Sequence, residues 1–353
     1  MRRDTLLRTV VAIGETNLEE YAGWLLPSTY GNAREEFNAA NRSVALTDLS
    51  MSGRLKLSGA DALDLLHRLS TNALKDLPVG GARGTLFLTE KGRIIDRAVV
   101  IRTDDSLLLI TSPGSEQKVV KWIARFTITE DIQITDITHD TILFSIYSAK
   151  ELSGLIAIEI PAVGMSTSTI LRLDDCRGTH VRQQNMDSLL IMGPRSTGRA
   201  LWEVLKKATL HAGGMMAGFE AYDTFRIVQG IPAGGRELSE TLHPLEVNLR
   251  EDISFTKGCY IGQEVVARMD TYQKVRRRLA GILLDEHPGV LPRPLYFAGA
   301  EIGILTSAGR VQIQGKIPGL AVVQTTIHEG QRVKFEEGGR ERGALVSLPM
   351  SLS

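Results

Sequence analysis

This sequence is short of several things that would name a function quickly. Only two cysteines occur, Cys176 and Cys259, which excludes a disulfide framework and falls short of the ligands of a closed zinc or iron–sulfur site. That scarcity fits a reducing cytoplasm. Net charge is lacking too: 41 Lys and Arg stand against 41 Asp and Glu, so no whole-chain field steers the protein onto nucleic acid or an anionic membrane. No run of about 18 apolar residues appears, and Val10 to Ile13 behind Arg2 and Arg3 is too short for a signal-peptide core, so a soluble protein without a membrane partner is expected. His139, His180, His211, His243 and His328 stand apart, and His67 has no ligand one helical turn on, so no metal is expected. A Gly-x-Ser-x-Gly elbow is missing, and Gly80, Gly81 and Gly84 lack the spacing of a phosphate loop.

What is present is a core-forming chain of 353 residues, 43% hydrophobic, long enough for two or three domains. Ala33, Phe37 and Ala40 recur at helical spacing, and Val44 to Asp48 is extended. Arg54 to Leu57 alternates charged and apolar residues as a strand with one wet face would. Residues 60–70 predict a helix with Ala62, Leu65, Leu66 and Leu69 inward and Asp61 in its first turn. Thr85 to Thr89, a turn at Glu90 to Arg93, and Ile94 to Arg102 predict a β-hairpin; Leu107 to Thr111 adds a strand and Ser115 to Phe126 a helix. The pattern restarts at Asp140 with Thr141 to Tyr147 and a helix seeded by Ser148. Further helices are expected over 196–209, with Ala200, Leu201, Val204 and Leu205 inward, and over 217–229, stopped by Gly230. Beyond Arg278, short apolar runs between glycines and prolines predict a small all-β domain.

The residues that could carry chemistry are few. Cys259 follows Lys257 and Gly258, and a neighbouring ammonium favours thiolate while glycine permits close approach, so a reactive thiol is reasonable; the alternative is inert core. Lys274, Arg276, Arg277 and Arg278, with Arg268 and Tyr272 upstream, could hold an RNA backbone or form a solvated face. Asp96 could meet a heterocycle or pair with Arg93 or Arg97. These residues leave the reaction open.

Lys257 to Arg268, reading KGCYIGQEVVAR, closely resembles the signature of the YgfZ-type tetrahydrofolate-binding proteins, relatives of the glycine-cleavage T-protein, or GcvT aminomethyltransferase. Gly23-Trp24, Leu46 to Ser50, Gly59 to Asp61, Thr71-Asn72, Gly92 to Asp96, and Ala221 to Pro232 with Arg226 are similar to the wider aminomethyltransferase family. The resemblance implies an α+β, three-domain GcvT-like fold around a central folate cavity, with a C-terminal small β-barrel. The expected division is a discontinuous folate-binding domain over 1–50 and 140–250, an α+β domain over 51–139, a cysteine-motif and basic connecting segment over 251–277, and a barrel over 278–353.

It further implies tetrahydrofolate as cofactor and support of iron–sulfur cluster assembly or repair as function, with iron–sulfur enzymes or assembly proteins as partners and tRNA modification downstream of such enzymes. Cys259 would be the working thiol, with Lys257 lowering its pKa. Asp96, Arg226, Gly258, Tyr260, Gln263 and Glu264 would bind the cofactor or anchor the segment. Three departures stand out: Arg97 occupies the place of the transferase aspartate that positions the folate amine, Gly84 replaces an expected tyrosine, and Arg177 to Arg182 replaces a glutamate-bearing turn. A cation cannot accept a hydrogen bond as that carboxylate would. The alternatives are a folate-dependent aminomethyltransferase of the glycine-cleavage type and a non-catalytic RNA- or protein-binding module.

Overall fold

The structure, a computed structural model, describes residues 3–4, 18–147, 168–170, 177–183, 186–272 and 275–347, with backbone alone at 3–4, 168–170, 177–183 and 186–187. Cys176, Lys274, Val10 to Ile13 and the helix expected after Ser148 lie outside the described residues. No helix among the described residues is long and apolar enough to cross a membrane. Two large sheets, a small three-stranded one of Arg3–Asp4, Trp24–Pro27 and Leu18–Tyr21, and a barrel carry the architecture. One sheet runs Ser168–Ile170, Arg177–Gln183, Met186–Pro194, Thr141–Tyr147, Ala45–Asp48, Met215–Met216. The other runs Ala82–Leu88, Ile94–Arg102, Leu107–Thr111, Gly53–Ser58, Gln133–Asp136. The predicted hairpin is present, with Ala82 opposite Ile101 and Phe87 opposite Asp96.

Alternation of side chains along the strands explains how the layers stack. In Thr141–Tyr147, Ile142, Phe144 and Ile146 face outward onto Leu201, Trp202 and Leu205 of the helix Gly198–His211. In the second sheet Ala98, Val100, Leu107 and Leu109 meet Leu65, Leu66 and Leu69 of the helix Ala62–Leu69 and Val119, Trp122 and Ile123 of Glu116–Ala124. The opposite faces meet each other: Val99, Ile101, Leu108 and Ile110 pack with Leu143, Leu190 and Met192 around Trp24 and Met51. The order is therefore helix, sheet, sheet, helix, as expected when each sheet needs both faces covered.

Two local expectations are corrected. The strand Gly53–Ser58 has no fully wet face: Arg54 is buried, its Nε donating to Thr141 Oγ1 at 2.8 Å and its Nη1 to Ser50 O at 3.1 Å, with Nη2 on the Thr138 carbonyl. Charge alone would place so long a cation in solvent, whereas carbonyls of a neighbouring turn satisfy it here. In Gly198–His211 the buried stripe is Leu201, Trp202, Leu205, Ala208 and Thr209, while Ala200 and Val204 are exposed. The bulk of Trp202 rotates the face by about one residue.

The C-terminal strands close into a six-stranded barrel, Arg277–Leu284, Ile317–Gln324, Ala300–Ala308, Arg293–Phe297, Arg332–Glu337 and Arg340–Ser347, the last pairing back onto the first. Leu279, Leu320 and Val322 of the barrel pack with Leu86, Leu88 and Ile94 of the hairpin and with Tyr260 and Val266, joining barrel to sheet. The helix Phe219–Val228 ends at Gly230, whose φ of +69° suits glycine, and presses against the barrel through Thr224, whose Oγ1 accepts from Arg310 N at 3.2 Å.

Candidate functional site

Between the two sheets, beside the helix Phe219–Val228 and the chain just beyond it, lies a cavity. Its volume is about 140 Å³, within about 940 Å³ of space that includes its open mouth. Strand alternation supplies its walls. Leu143, Ser145 and Tyr147 face it from one sheet, opposite in parity to the residues that meet Trp202, and Arg97 and Val99 face it from the other. Tyr21, Phe219 and Tyr222 add aromatic surface. Burial pushes the Tyr222 hydroxyl up to about 12 and that of Tyr147 well above the ordinary tyrosine range. The hydroxyls of Ser145 and Tyr147 are buried on this wall and, among the described residues, find no partner beyond each other. An apolar cavity with a few unspent polar groups has the make-up of a small-molecule site.

Arg97 is held in this wall by a fork. Its Nε donates to Asp252 Oδ2 at 2.7 Å and its Nη2 to Asp252 Oδ1 at 3.2 Å, and the Arg97 side chain is 9% exposed. Asp252 is delivered by a chain turn that Thr71 ties down, its Oγ1 donating to Asp252 O at 2.7 Å. Asn72 adds Nδ2 to Gly84 O at 2.8 Å. Gly84 makes the pair sterically feasible: a Cβ there would lie 1.9 Å from Asp252 Oδ1 and 2.7 Å from Arg97 Nη2. The two departures noted in the sequence, at 84 and 97, are thus one structural event. A small residue accompanies a large cation, and a carboxylate from residue 252 meets it.

Arg226 also lines the cavity, yet its guanidinium is spent internally. It donates to Asp223 Oδ1 at 2.8 Å, Glu237 Oε2 at 3.0 Å, Ser307 Oγ at 2.8 Å and Ile231 O at 3.3 Å. Burial opposes its charge, but Asp223 and Glu237 outweigh that and raise its pKa. Asp223 is shared with Arg236, which stacks over the Tyr21 ring at 5.5 Å. In place of a free carboxylate receptor, Arg226 is a bolt between helix and barrel. Asp96 lies beneath the wall rather than on it, fully buried, accepting from Ser112 N at 3.0 Å. It pairs with neither Arg93 nor Arg97, and burial pushes its carboxyl up to about 6.

The Lys257 to Glu264 stretch is elsewhere. None of its residues is on the wall of this cavity, although the Cys259 thiol is exposed. Lys257 does not turn its ammonium to the sulfur. Its Nζ donates to Ser70 O at 2.6 Å and Asn72 O at 3.0 Å and also to the His67 carbonyl, capping the end of the helix Ala62–Leu69, with Tyr260 5.3 Å beneath it. Burial pulls its pKa down to about 8. Tyr260 is core. Gly258 meets open space rather than a close neighbour, whereas Gly262, at φ +81°, sits against the hairpin turn with a would-be Cβ 2.7 Å from Thr89 O. Gln263 opens the helix Gln263–Thr271, its N donating to Tyr260 O at 3.2 Å. Among the described residues Glu264 anchors nothing: its side chain is 87% exposed, with Arg268 at 3.9 Å.

The basic cluster is partly structural. Arg277 pairs with Glu246 at 2.8 Å and Arg278 donates to Ile327 O at 2.6 Å, leaving Arg276 exposed. Sequence reasoning missed Asp252, Ser145, Tyr147 and Tyr222. The alternation Leu143, Ser145, Tyr147 could have flagged two of them, because hydroxyls at successive inward positions of an otherwise apolar strand are unusual core residues.

Comparisons with known proteins agree with this architecture. The family described as GCVT N-terminal domain matches residues 9–257. The aminomethyltransferase of Thermotoga neapolitana is 25% identical over 349 residues, covering 96% of this chain and 94% of that protein. A putative chloroplastic transferase of Arabidopsis thaliana is 30% identical over 288 residues, covering 79% and 65%. The glycine cleavage system aminomethyltransferase T from Bartonella henselae superposes with a TM-score of 0.83 at 20% identity, covering 99% of this chain and 98% of that one, a likeness of fold.

Proposed function

The chain belongs to the GCVT N-terminal domain family, among aminomethyltransferase relatives, and we propose that its central cavity binds a reduced folate, with tetrahydrofolate the first ligand to test. The observation that carries this reading is the pair of buried hydroxyls, Ser145 and Tyr147, left without outside partners on an aromatic-lined wall. Bonded at most to each other, the two hydroxyls still leave one O–H and further lone pairs unspent, and a pterin-like heterocycle with donors and acceptors along one edge meets them. When bound, the folate would supply the one-carbon chemistry; the chain's own residues hold and orient it.

Aminomethyl transfer is the activity that the relatives' names favour, and, with a lipoyl carrier as donor and folate as acceptor, it is the one to assay first. A second reading, folate-dependent support of iron–sulfur enzymes of the YgfZ type, is favoured by Arg97 in its pair with Asp252 and by the exposed Cys259 in its KGCYIGQE setting. The discriminating experiment measures tetrahydrofolate binding by calorimetry and methylenetetrahydrofolate formation from an aminomethylated lipoyl carrier. Turnover establishes the transferase reading. Binding without turnover supports the second, which iron–sulfur enzyme activity in cells lacking this protein then tests. No binding overturns both.

A further inference from the structure

We propose that Arg97 is the specificity-determining residue of the cavity and that it selects a ligand presenting an uncharged carbonyl-type oxygen on the substituent that faces it, which for a reduced folate whose 4-oxo pterin edge lies on the opposite wall is the N-formyl form. The last step rests on the folate reading above. Arg97 spends Nε and one side of Nη2 on Asp252, so among the described residues no hydrogen bond takes up Nη1 of a side chain that lines the cavity and is 9% exposed.

A guanidinium has donors only, so it cannot accept from an amine, and its charge opposes a protonated one. Asp252 cancels most of that charge locally. A full anion therefore gains little Coulomb energy in return for its own desolvation, whereas a neutral carbonyl oxygen gains a charge-assisted hydrogen bond at small desolvation cost.

The opposite wall divides the work. The hydroxyls of Ser145 and Tyr147 both donate and accept, which suits a heterocycle edge carrying both kinds of group; a donor-only guanidinium does not. The heterocycle is thereby assigned to the hydroxyl wall and its one-carbon substituent to Arg97. The Asp252 fork fixes the guanidinium plane, so the donor is pre-aimed and little side-chain entropy is lost on binding.

The test is calorimetric titration of the full chain with 5-formyltetrahydrofolate, tetrahydrofolate and 5-methyltetrahydrofolate. The formyl form is expected to bind about tenfold tighter than the other two, the size of one charge-assisted hydrogen bond. In the double variant Arg97→Gln with Asp252→Asn, which leaves no stranded charge, the preference is expected to fall to within about twofold. Equal binding of all three by the wild type overturns the proposal without needing a variant, as does a preference that survives in the folded double variant, and in both cases folate binding itself still stands. If none of the three binds, the folate reading fails and takes the proposal with it.

Discussion

Arg97 Nε lies 2.7 Å from Asp252 Oδ2, and the two residues, 155 positions apart, meet only because residue 84 has no side chain. Removing one partner strands a buried charge, so Arg97→Gln alone should destabilise the protein by about 3–5 kcal/mol, and adding Asp252→Asn should restore most of it. Gly84→Ala should cost about 1–3 kcal/mol by overpacking the pair. Urea denaturation of the four proteins checks this. A double variant no better than Arg97→Gln would mean the pair is not coupled.

Asp96 predicts a pH dependence. Its folded pKa of about 6 lies above the ordinary 3.8, so between those values the folded chain holds a proton that the unfolded chain releases. Stability therefore falls as pH rises through that window, by up to ~3 kcal/mol at 1.36 kcal/mol per unit. Asp96→Asn keeps an acceptor for Ser112 N and removes the slope. Relative to wild type, it should be more stabilising at pH 7.5 than at pH 4, and melting curves at the two values decide.

Lys257 and Cys259 should separate cleanly despite being two residues apart. Lys257→Met removes a cap that satisfies carbonyls of Ser70 and Asn72, and should lower stability by about 1.5–3 kcal/mol. Cys259→Ala should leave melting within about 0.5 kcal/mol of wild type, since the side chain is exposed. Iodoacetamide should modify Cys259 in the folded protein, with mass spectrometry of the peptide as readout; protection until denaturant is added would contradict the exposed placement.

The two glycines of the same stretch give a matched pair. Gly262→Ala meets Thr89 O and the Gly92 backbone at a positive φ and should cost about 1–3 kcal/mol. Gly258→Ala enters open space and should change stability by less than about 0.5 kcal/mol. Equal losses in thermal melts would show that the hairpin contact at Gly262 is not the reason for its glycine.

The elements whose periodicity is strong were legible from residues alone: Leu65, Leu66 and Leu69 mark a helix face, and the hairpin around Gly92 closes where its turn residues stand. The fold as a whole was legible through motif resemblance rather than periodicity. What sequence could not reveal was long-range partnership. Nothing near Arg97 announces Asp252, nothing near Lys257 announces the carbonyls of Ser70 and Asn72, and nothing near Arg226 announces Ser307. Lys257 and Arg226, read as free for chemistry, had each found a structural acceptor far along the chain, as Arg97 had, because buried cations require one.

The pairing of Ala45–Asp48 with Thr141–Tyr147 on one side and Met215–Met216 on the other has a consequence for synthesis. The sheet built from Gly53–Ser58 through Gln133–Asp136 draws all its strands from one unbroken span, so it can assemble while the ribosome is still adding the C-terminal half of the chain. The strand made before it has no sheet partner among the described residues until residues 141–147 have emerged, and closing that loop of nearly a hundred residues is expected to be slower than closing the second sheet's own hairpins.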